Sequence, residues 1–443
     1  MNALLRRMLF DKADYDLLNA LSDVVNGDRS QKHLRKLFEP YFHPRGIKEL
    51  AAPKEIRIVC AMHNLLDTLN FNADALEQRV SALRSLRDEL VDGAPNVLRL
   101  NTARVAMHIT KELIREHNQL RQLKLAHDLR TALLGQPRFI RKQLNKYFLL
   151  EMPEHWNQIT FDDHVHDAST KGRKSPTHLI MDAWIKGVRQ LQVIYYNYVP
   201  RHAAEELIRA AEIMDIDVRV GVELTTVFRG HYMEMVWTPR GFSSAADFLT
   251  YLDRPDVKAF QDSCLEAAEF KKRQVLTSLE EFNREQLSRL NADYHIALPP
   301  LAAEEFLSSV HYGQPSLEHM GEFIASRVSD AIRSRIDDLS HRLEVGATAG
   351  EMKKYYTECL SALCGEEIRD KYLEAVRISL PPADVSELPE VIRLSQYELV
   401  ERLRQISSAF RLTLSQSGVR LEDAIEILSV CRGAVTHLEI FNL

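Results

Sequence analysis

The hydrophobic pattern of this chain changes its period twice. Between residues 1 and 150, apolar residues recur at helical spacing, as Val105 and Ile109 do. From Phe161 to Gly241, short apolar runs alternate with helical stretches, and after about residue 245 the helical period returns. Short strands that alternate with helices are typical of βαβ units around a parallel sheet. The sequence therefore predicts an α/β segment between large all-α parts.

The predicted elements divide the chain into four parts. Runs rich in apolar residues predict strands over 159–165, 191–196, 218–224 and 231–237. The final run, Gly433 to Leu443, also has the composition of a strand. We therefore predict four regions: a helical domain over 1–155, an α/β segment over 156–243, a helical insertion over 244–430 and a returning strand over 431–443.

Composition excludes some classes of protein and leaves others open. The chain has 443 residues, and no stretch reaches the ~18 apolar residues that a membrane-spanning helix needs. Its five cysteines are scattered and odd in number, which favours reduced thiols over a disulfide framework. We therefore expect a cytoplasmic protein without a membrane segment.

Positive charge is concentrated in the first third of a chain whose net charge is −6. Residues 1–150 hold 25 basic and 17 acidic residues, and the stretch 99–146 alone holds 11 basic and 3 acidic ones. Such a stretch can bind nucleic acid, anionic lipid or a phosphorylated ligand. The alternative is that it packs against acidic residues of this chain or of a partner, such as a second copy or a helical protein.

A candidate metal site begins with two histidines, His164 and His166, in a predicted strand. Residues at i and i+2 of a strand point to the same face, so the two imidazoles can share one metal ion. Acidic neighbours such as Asp163 and Asp167 can orient the rings or join them as ligands. Taken alone, the pattern leaves metal binding open as one role of the pair, and the residues around it strengthen that interpretation.

Several motifs extend this pattern in a fixed order. Asp163-His-Val-His166 is followed by Ser169, Gly172 and a Ser175-Pro176 pair that opens a helix. Gly221-Val-Glu223-Leu224 and His231 come next, and Leu438-Glu-Ile-Phe-Asn442 ends the chain. In order and spacing this set resembles the motifs of the PHP (polymerase and histidinol phosphatase) family of phosphoesterases.

The resemblance implies a distorted, TIM-like barrel with a metal cluster at the carboxyl ends of its strands. The metal ligands would be His164, His166, Glu223 and His231, holding one or two divalent ions of zinc, manganese or iron. The implied activity is phosphoester hydrolysis by metal-activated water, with a phosphorylated small molecule as substrate. Family members that act as polymerases and nucleases keep nucleic acid open as a partner through the 99–146 stretch.

Basic residues near these motifs are candidates for substrate binding. Lys171 and Arg173 follow the paired histidines, Arg229 precedes His231, and Arg240 follows the same predicted strand. Loops after strands bind ligands in such sheets, and arginine offers phosphate two parallel donors. We therefore predict Lys171, Arg173, Arg229 and Arg240 as substrate ligands. Arg229 and His231 would also stabilise charge during catalysis.

The chain departs from the family pattern at the second motif. Where the family has Asp-His, this chain has Tyr195-Tyr196, and tyrosine is rarely a ligand of zinc or magnesium. The late Asp-x-His of the family is absent from residues 1–443, and 244–430 is far longer than the usual family loops. Two hypotheses therefore stand: a metal-dependent hydrolase, or an inactive PHP-like scaffold that binds partners through its helices.

Overall fold

A computed structural model describes most of the chain. The described residues are 10–25, 53–69, 75–95, 97–151, 160–172, 174–310, 313–342, 347–415 and 419–439. They fall into two compact units. The first unit comprises Met1–Val165, Lys174–Gln192 and His202–Arg219, and the second comprises His166–Arg173, Val193–Arg201 and Val220–Leu443.

The first unit is mainly helical, as the periodic apolar pattern predicts. Val105 and Ile109, which set that pattern, are fully buried. Its helices before the sheet are α1 (Lys12–Val25), α2 (Lys54–Thr68), α3 (Leu76–Gly93), α4 (Arg99–Arg115), α5 (Gln119–Leu133) and α6 (Pro137–Lys146). No helix in the described part of the chain is long and apolar enough to cross a membrane.

Basic residues of the 99–146 stretch are used inside the first unit. Arg104 is buried and its guanidinium donates to the carbonyls of Trp184 and Ile185, both at 3.1 Å. These carbonyls lie at the end of α7 (Pro176–Lys186), where a helix leaves acceptors unsatisfied. Burial lowers the pKa of Arg104 to about 10, so it remains cationic. This basic residue is a helix cap and is not exposed to a partner.

Other basic residues of the same stretch form ion pairs with acidic residues of the chain. Lys111 contacts Asp182 at 2.5 Å, and Arg130 contacts Asp14 at 2.6 Å. These contacts support the alternative that the stretch packs against acidic residues of this chain. Nucleic-acid binding through 99–146 stays a prediction.

Six strands form one sheet in the order β1-β2-β3-β4-β5-β6. Helix α7 joins β1 to β2, and a second helix, α8, joins β2 to β3. The bounds are β1 (Phe161–Val165), β2 (Gln190–Tyr196), α8 (Arg201–Met214), β3 (Asp217–Phe228), β4 (His231–Pro239), β5 (Phe410–Ser415) and β6 (Val435–Glu439). The prediction of an α/β segment with large helical parts is confirmed; a closed barrel is not shown.

Strands β2 and β3 run parallel, as a helical crossover between them requires. At the start of β2 and β3, Asp217 N donates to Arg189 O at 2.9 Å. Further along, Asn197 N donates to Glu223 O, also at 2.9 Å. Residue numbers therefore rise together along the two strands. This arrangement places the end of β2 beside the middle of the longer β3.

The prediction of a fully parallel sheet is wrong at β4. Arg229 and Gly230 join β3 to β4 with φ angles of 49° and 76°, as in a two-residue type I′ hairpin turn. Strand β4 consequently pairs antiparallel with β3 and with β5, whereas β5 and β6 are parallel. A two-residue turn can only reverse the chain, so β4 cannot belong to a βαβ unit.

The second unit contains the long helical region after residue 245. Its helices are α9 (Ala245–Leu252), α10 (Pro255–Glu281), α11 (Leu287–Tyr294), α12 (Ala303–Ser309), α13 (Leu317–Arg342), α14 (Ala347–Ala362), α15 (Gly365–Ile368), α16 (Glu390–Arg393), α17 (Gln396–Ile406) and α18 (Leu421–Val430). A π-helical turn, Phe282–Gln286, joins α10 to α11 without a break. Strand β5 also lies within the region that the sequence predicted to be entirely helical, because Leu412 and Leu414 alternate toward a buried face.

A buried charge cluster in the first unit predicts loss of stability in acid. Burial raises the pKa of Asp182. The positive charges of Lys111, His178 and Lys174 outweigh this effect and lower the pKa to about 2. Burial lowers the pKa of His178 to about 4. As pH falls, the unfolded chain protonates His178 near pH 6.5 and Asp182 near pH 4. The folded protein protonates each group only at a lower pH. Both groups therefore favour unfolding as pH falls: His178 between about pH 6.5 and 4, and Asp182 below about pH 4.

We expect the free energy of unfolding to fall by roughly 2–3 kcal/mol between pH 7 and pH 4.5 on account of His178. The variant His178→Gln should lose less stability over this interval, as measured by urea unfolding at both pH values. His117→Gln, at an exposed position, should keep the wild-type dependence. An identical loss in wild type and His178→Gln would contradict the assignment.

Candidate metal centre

The two histidines of the predicted site lie at the end of β1. His164 is within the strand and His166 follows its last residue. Both side chains are half-buried. One ligand atom of each lies within 4.8 Å of the other, as the predicted shared face requires.

His166 is held by hydrogen bonds that orient its ring. Its Nδ1 lies 2.9 Å from the carbonyl oxygen of Ile194 in β2 and 3.2 Å from the Thr170 hydroxyl. A carbonyl oxygen only accepts, so Nδ1 is the donor in this hydrogen bond. A carbonyl or carboxylate in this position is the usual partner of a metal-ligating histidine.

Glu223 of β3 completes a cluster with the two histidines. One potential ligand atom from each of His164, His166 and Glu223 lies within 4.8 Å of the others. Ligands about 2.1 Å from a common ion are themselves about 3–4 Å apart, so small side-chain rotations suffice to close the site. The residues that the structure describes contain this one cluster of three histidine, cysteine or carboxylate ligands.

Gly221 lies in β3, two residues before Glu223, where neighbouring side chains leave little room. A Cβ atom at Gly221 would lie 2.7 Å from Cδ1 of Ile194 and 3.1 Å from the Thr238 hydroxyl. A larger residue at this position would therefore require the Ile194 side chain to shift. The Gly-x-Glu spacing in the sequence thus coincides with a crowded part of the sheet.

The environment of Glu223 disfavours its ionised form. Burial raises its pKa well above the ordinary range, and the nearby carboxylates of Glu234 and Glu439 raise it further. The ammonium groups of Lys171 and Lys271 act in the opposite direction. A cation placed beside Glu223 would therefore stabilise its carboxylate form.

Three of these charged neighbours were not predicted as site residues. Glu234 faces Thr225 across the β3–β4 pair, and Glu439 ends β6 opposite Ser415. Glu439 stands in the Leu438–Asn442 motif, which gave the sequence a signal for it. Lys271 belongs to α10, 48 residues beyond Glu223, and no local pattern indicates that it approaches the sheet.

Tyr195 and Tyr196, the neighbouring tyrosines at the end of β2, have different surroundings. The Tyr195 hydroxyl donates to Asp167 Oδ2 at 2.7 Å, and both residues are fully buried. The Tyr196 ring lies 5.1 Å from the His166 ring, centre to centre. Tyr195 thus anchors a neighbouring carboxylate, and Tyr196 packs beside a candidate ligand.

The loop after β1 brings Lys171 toward the site. Gly172 N donates to Asp167 O at 2.9 Å, which closes the loop, and Lys171 Nζ lies 5.8 Å from the centre of the Tyr196 ring. Of the two basic residues predicted in this loop, Lys171 is therefore near the cluster. Arg173 lies outside the described residues.

His231 and Arg229 are not brought to the cluster, contrary to the sequence-based prediction. Glu223 faces Val236 across the β3–β4 pair, whereas His231 faces Phe228, five residues further along. At about 3.3 Å per residue, His231 is roughly 16 Å from that position. Its placement follows from the antiparallel hairpin, which puts the start of β4 beyond the end of β1.

Arg229 forms ion pairs that do not involve the candidate ligands. It contacts Asp423 at 2.9 Å and also Glu426, both on α18. Arg240 is exposed, and its backbone N–H donates to Ala409 O. Because β4 runs antiparallel to β3, Arg240 lies toward the beginning of β3, at the opposite end of the β3–β4 pair from Arg229.

Comparison with known proteins gives limited similarity. No protein-family model matches the chain, and no curated protein matches it significantly. Among solved structures, a "putative metal-dependent phosphoesterase" from Bifidobacterium adolescentis aligns with 66% of this chain and 79% of its own, at 14% identity and a TM-score of 0.34. An amidohydrolase from Chromobacterium violaceum, with bound sulfate and no metal, aligns with 63% of this chain and 75% of its own, at 14% identity and a TM-score of 0.36. These scores are too low to assign a family.

Proposed function

We propose that this protein is a metal-dependent hydrolase that acts on phosphoesters, with one divalent ion held by His164, His166 and Glu223. The observation that carries the proposal is the convergence of these three side chains from two strands, with ligand atoms within 4.8 Å. Two imidazoles and a carboxylate whose ligand atoms lie this close can share one divalent ion.

The donor set fits the metals that the sequence indicated. Two imidazoles and one carboxylate are ligands of zinc, iron and manganese, whereas calcium and magnesium favour sites built from oxygen alone. The carbonyl of Ile194 fixes the His166 ring, as metal sites require of their histidines. His231 does not add a fourth ligand, so the described residues support one ion.

Such an ion supplies a Lewis acid that activates water for attack at phosphorus. The protein contributes position and charge. Lys171, in the loop closed by Asp167, can donate to phosphate oxygens from one side of Glu223. The Ile194 carbonyl and the Thr170 hydroxyl keep the His166 ring from rotating.

The inactive scaffold remains the second hypothesis, and one observation favours it. Tyr195 occupies a position where the PHP motif has a metal ligand, and its hydroxyl is engaged with buried Asp167. An ancestral pocket filled by packed tyrosines would have this appearance. The two hypotheses differ in whether the protein hydrolyses any phosphoester when metal is present.

A hydrolysis assay separates them. Protein loaded with manganese, zinc or iron(II) should hydrolyse p-nitrophenyl phosphate or its diester, and a chelator should remove the activity. The double variant His164→Ala/His166→Ala should lose at least about 100-fold, because even partners that only orient ligands contribute 10- to 100-fold. His231→Ala should retain activity. Activity in the double variant equal to wild type, or no metal-dependent hydrolysis of either ester, would contradict the proposal.

A further inference from the structure

The segment 313–316, between α12 and α13 of the second unit, packs against the loop that follows β1. Gly313 has a φ of 80°, and a Cβ atom there would lie 2.3 Å from the carbonyl oxygen of Ser169 and 2.8 Å from Thr170 N. Any larger residue would therefore require the backbone of the loop to shift. The Thr170 hydroxyl in turn lies 3.2 Å from Nδ1 of His166. The segment thus rests on the loop that orients a candidate metal ligand.

Gln314 joins the same segment to the end of β2 through both ends of its side-chain amide. Its Nε2 donates to the carbonyl oxygen of Tyr196 at 2.5 Å, and its Oε1 accepts from Asn197 Nδ2 at 2.9 Å. Tyr196 is the last residue of β2, and Asn197 follows it in the left-handed conformation, with a φ of 61°. One glutamine side chain therefore fixes two consecutive residues where the strand ends.

Both residues that Gln314 holds are in contact with a candidate ligand. Asn197 N donates to the carbonyl oxygen of Glu223 at 2.9 Å, so it fixes the backbone from which the Glu223 carboxylate extends. The Tyr196 ring packs beside the His166 ring, with the two centres 5.1 Å apart. Gln314 is thus connected to two of the clustered ligands, each through one intervening residue.

We propose that Gln314 is a positioning residue of the metal centre, so that the helical region after residue 245 supports metal binding through the segment 313–316. The inference rests on the proposed function and concerns the support of that same site. Gln314 holds the end of β2, and with it the Tyr196 ring and the Glu223 backbone, without contacting the ion. Groups that only orient metal ligands contribute about 10- to 100-fold to metal affinity.

Cobalt(II) binding to the full chain tests this assignment, because the visible absorption bands of bound cobalt depend on its coordination geometry. Gln314→Met nearly keeps the size of the side chain but removes both hydrogen bonds of the amide. It should raise the cobalt Kd by about 10- to 100-fold and change the bands of the bound ion. Gln314→Asn keeps an amide that is one methylene too short to make both bonds. It should also raise the Kd, and it replaces Gln314→Met as the test if that variant does not fold.

Gln274→Met is the matched control, because Gln274 is a half-buried glutamine of the same unit that also holds a tyrosine of the sheet. Its Nε2 donates to the Tyr232 hydroxyl at 2.9 Å. Tyr232 faces Val227, four residues beyond Glu223, which is roughly 13 Å along the strand. This control should bind cobalt with the affinity and the spectrum of wild type. Equal losses of affinity in Gln274→Met and Gln314→Met would overturn the inference, because a general loss of packing would explain both.

The same samples distinguish failure of this inference from failure of the proposed function. Unchanged cobalt affinity and spectrum in folded Gln314→Met, with cobalt bound by wild type, would overturn the role of Gln314 and leave the metal centre standing. Wild-type protein that binds none of cobalt, zinc and manganese would overturn the metal centre itself, and with it both the proposed function and this inference.

Discussion

Replacing Glu206 by alanine is expected to lower the free energy of unfolding by about 3–5 kcal/mol, because it leaves a buried guanidinium without its partner. Glu206 on α8 accepts from Arg79 on α3 at 2.9 and 2.5 Å, and both side chains are almost completely buried. Its Oε1 also accepts from the Thr177 hydroxyl at 2.7 Å, at the start of α7. One carboxylate therefore joins three helices of the first unit. Urea unfolding measures the effect.

Two further variants identify the ion pair as the cause. Glu205→Ala changes the preceding residue, which pairs with Arg209 near the surface at 3.8 Å, and should change stability by at most about 1 kcal/mol. The double variant Arg79→Met/Glu206→Leu removes both charges and should recover most of the loss. A loss in the double variant as large as in Glu206→Ala would show that packing, and not the unpaired charge, is responsible.

Replacing Glu223 by glutamine should weaken divalent-metal binding by at least about 100-fold and leave the metal-free protein as stable as wild type, or more stable. The first effect follows because a neutral amide replaces a carboxylate ligand. The second follows because the pKa of Glu223 is raised well above its ordinary value, so its ionised form is unfavourable in the folded state. Metal titration and thermal unfolding of the metal-free protein measure the two effects.

Glu234→Gln is the matched control for Glu223→Gln. Glu234 lies on the adjacent strand and influences the pKa of Glu223, but it is not among the clustered ligand atoms. We expect its metal affinity to remain within about tenfold of wild type, since it acts only through charge. If both glutamine variants weakened binding equally, or if Glu223→Gln destabilised the metal-free protein, the assignment of Glu223 as the ligand would be wrong.

The sequence predicted those features that depend on local pattern. The first four strands follow apolar runs, and β1 places His164 and His166 together because strand residues alternate. Glu223 was found through its Gly-x-Glu motif, and the Ile194 side chain leaves little room for a larger residue at Gly221. In each case the signal and the structure lie within a few residues of each other.

The features that the sequence missed depend on chain direction or on distant contacts. His231 follows Glu223 closely in sequence, but the Arg229–Gly230 turn reverses the chain and carries it away from the ligands. Arg-Gly is not a strong hairpin signal, in contrast to Asn-Gly. Lys271 reaches the sheet only because α10 packs against β4 through Tyr232. No local periodicity indicates a contact of that kind.

Anomalous diffraction from crystals of the protein grown with manganese or zinc tests the central claim most directly. We expect one strong anomalous peak per chain, about 2.0–2.2 Å from a nitrogen of His164, a nitrogen of His166 and an oxygen of Glu223. No peak should remain there in His164→Ala/His166→Ala crystals. A fully loaded crystal with no peak at these three residues, or with the metal ion bound by other side chains, would contradict the proposed metal centre.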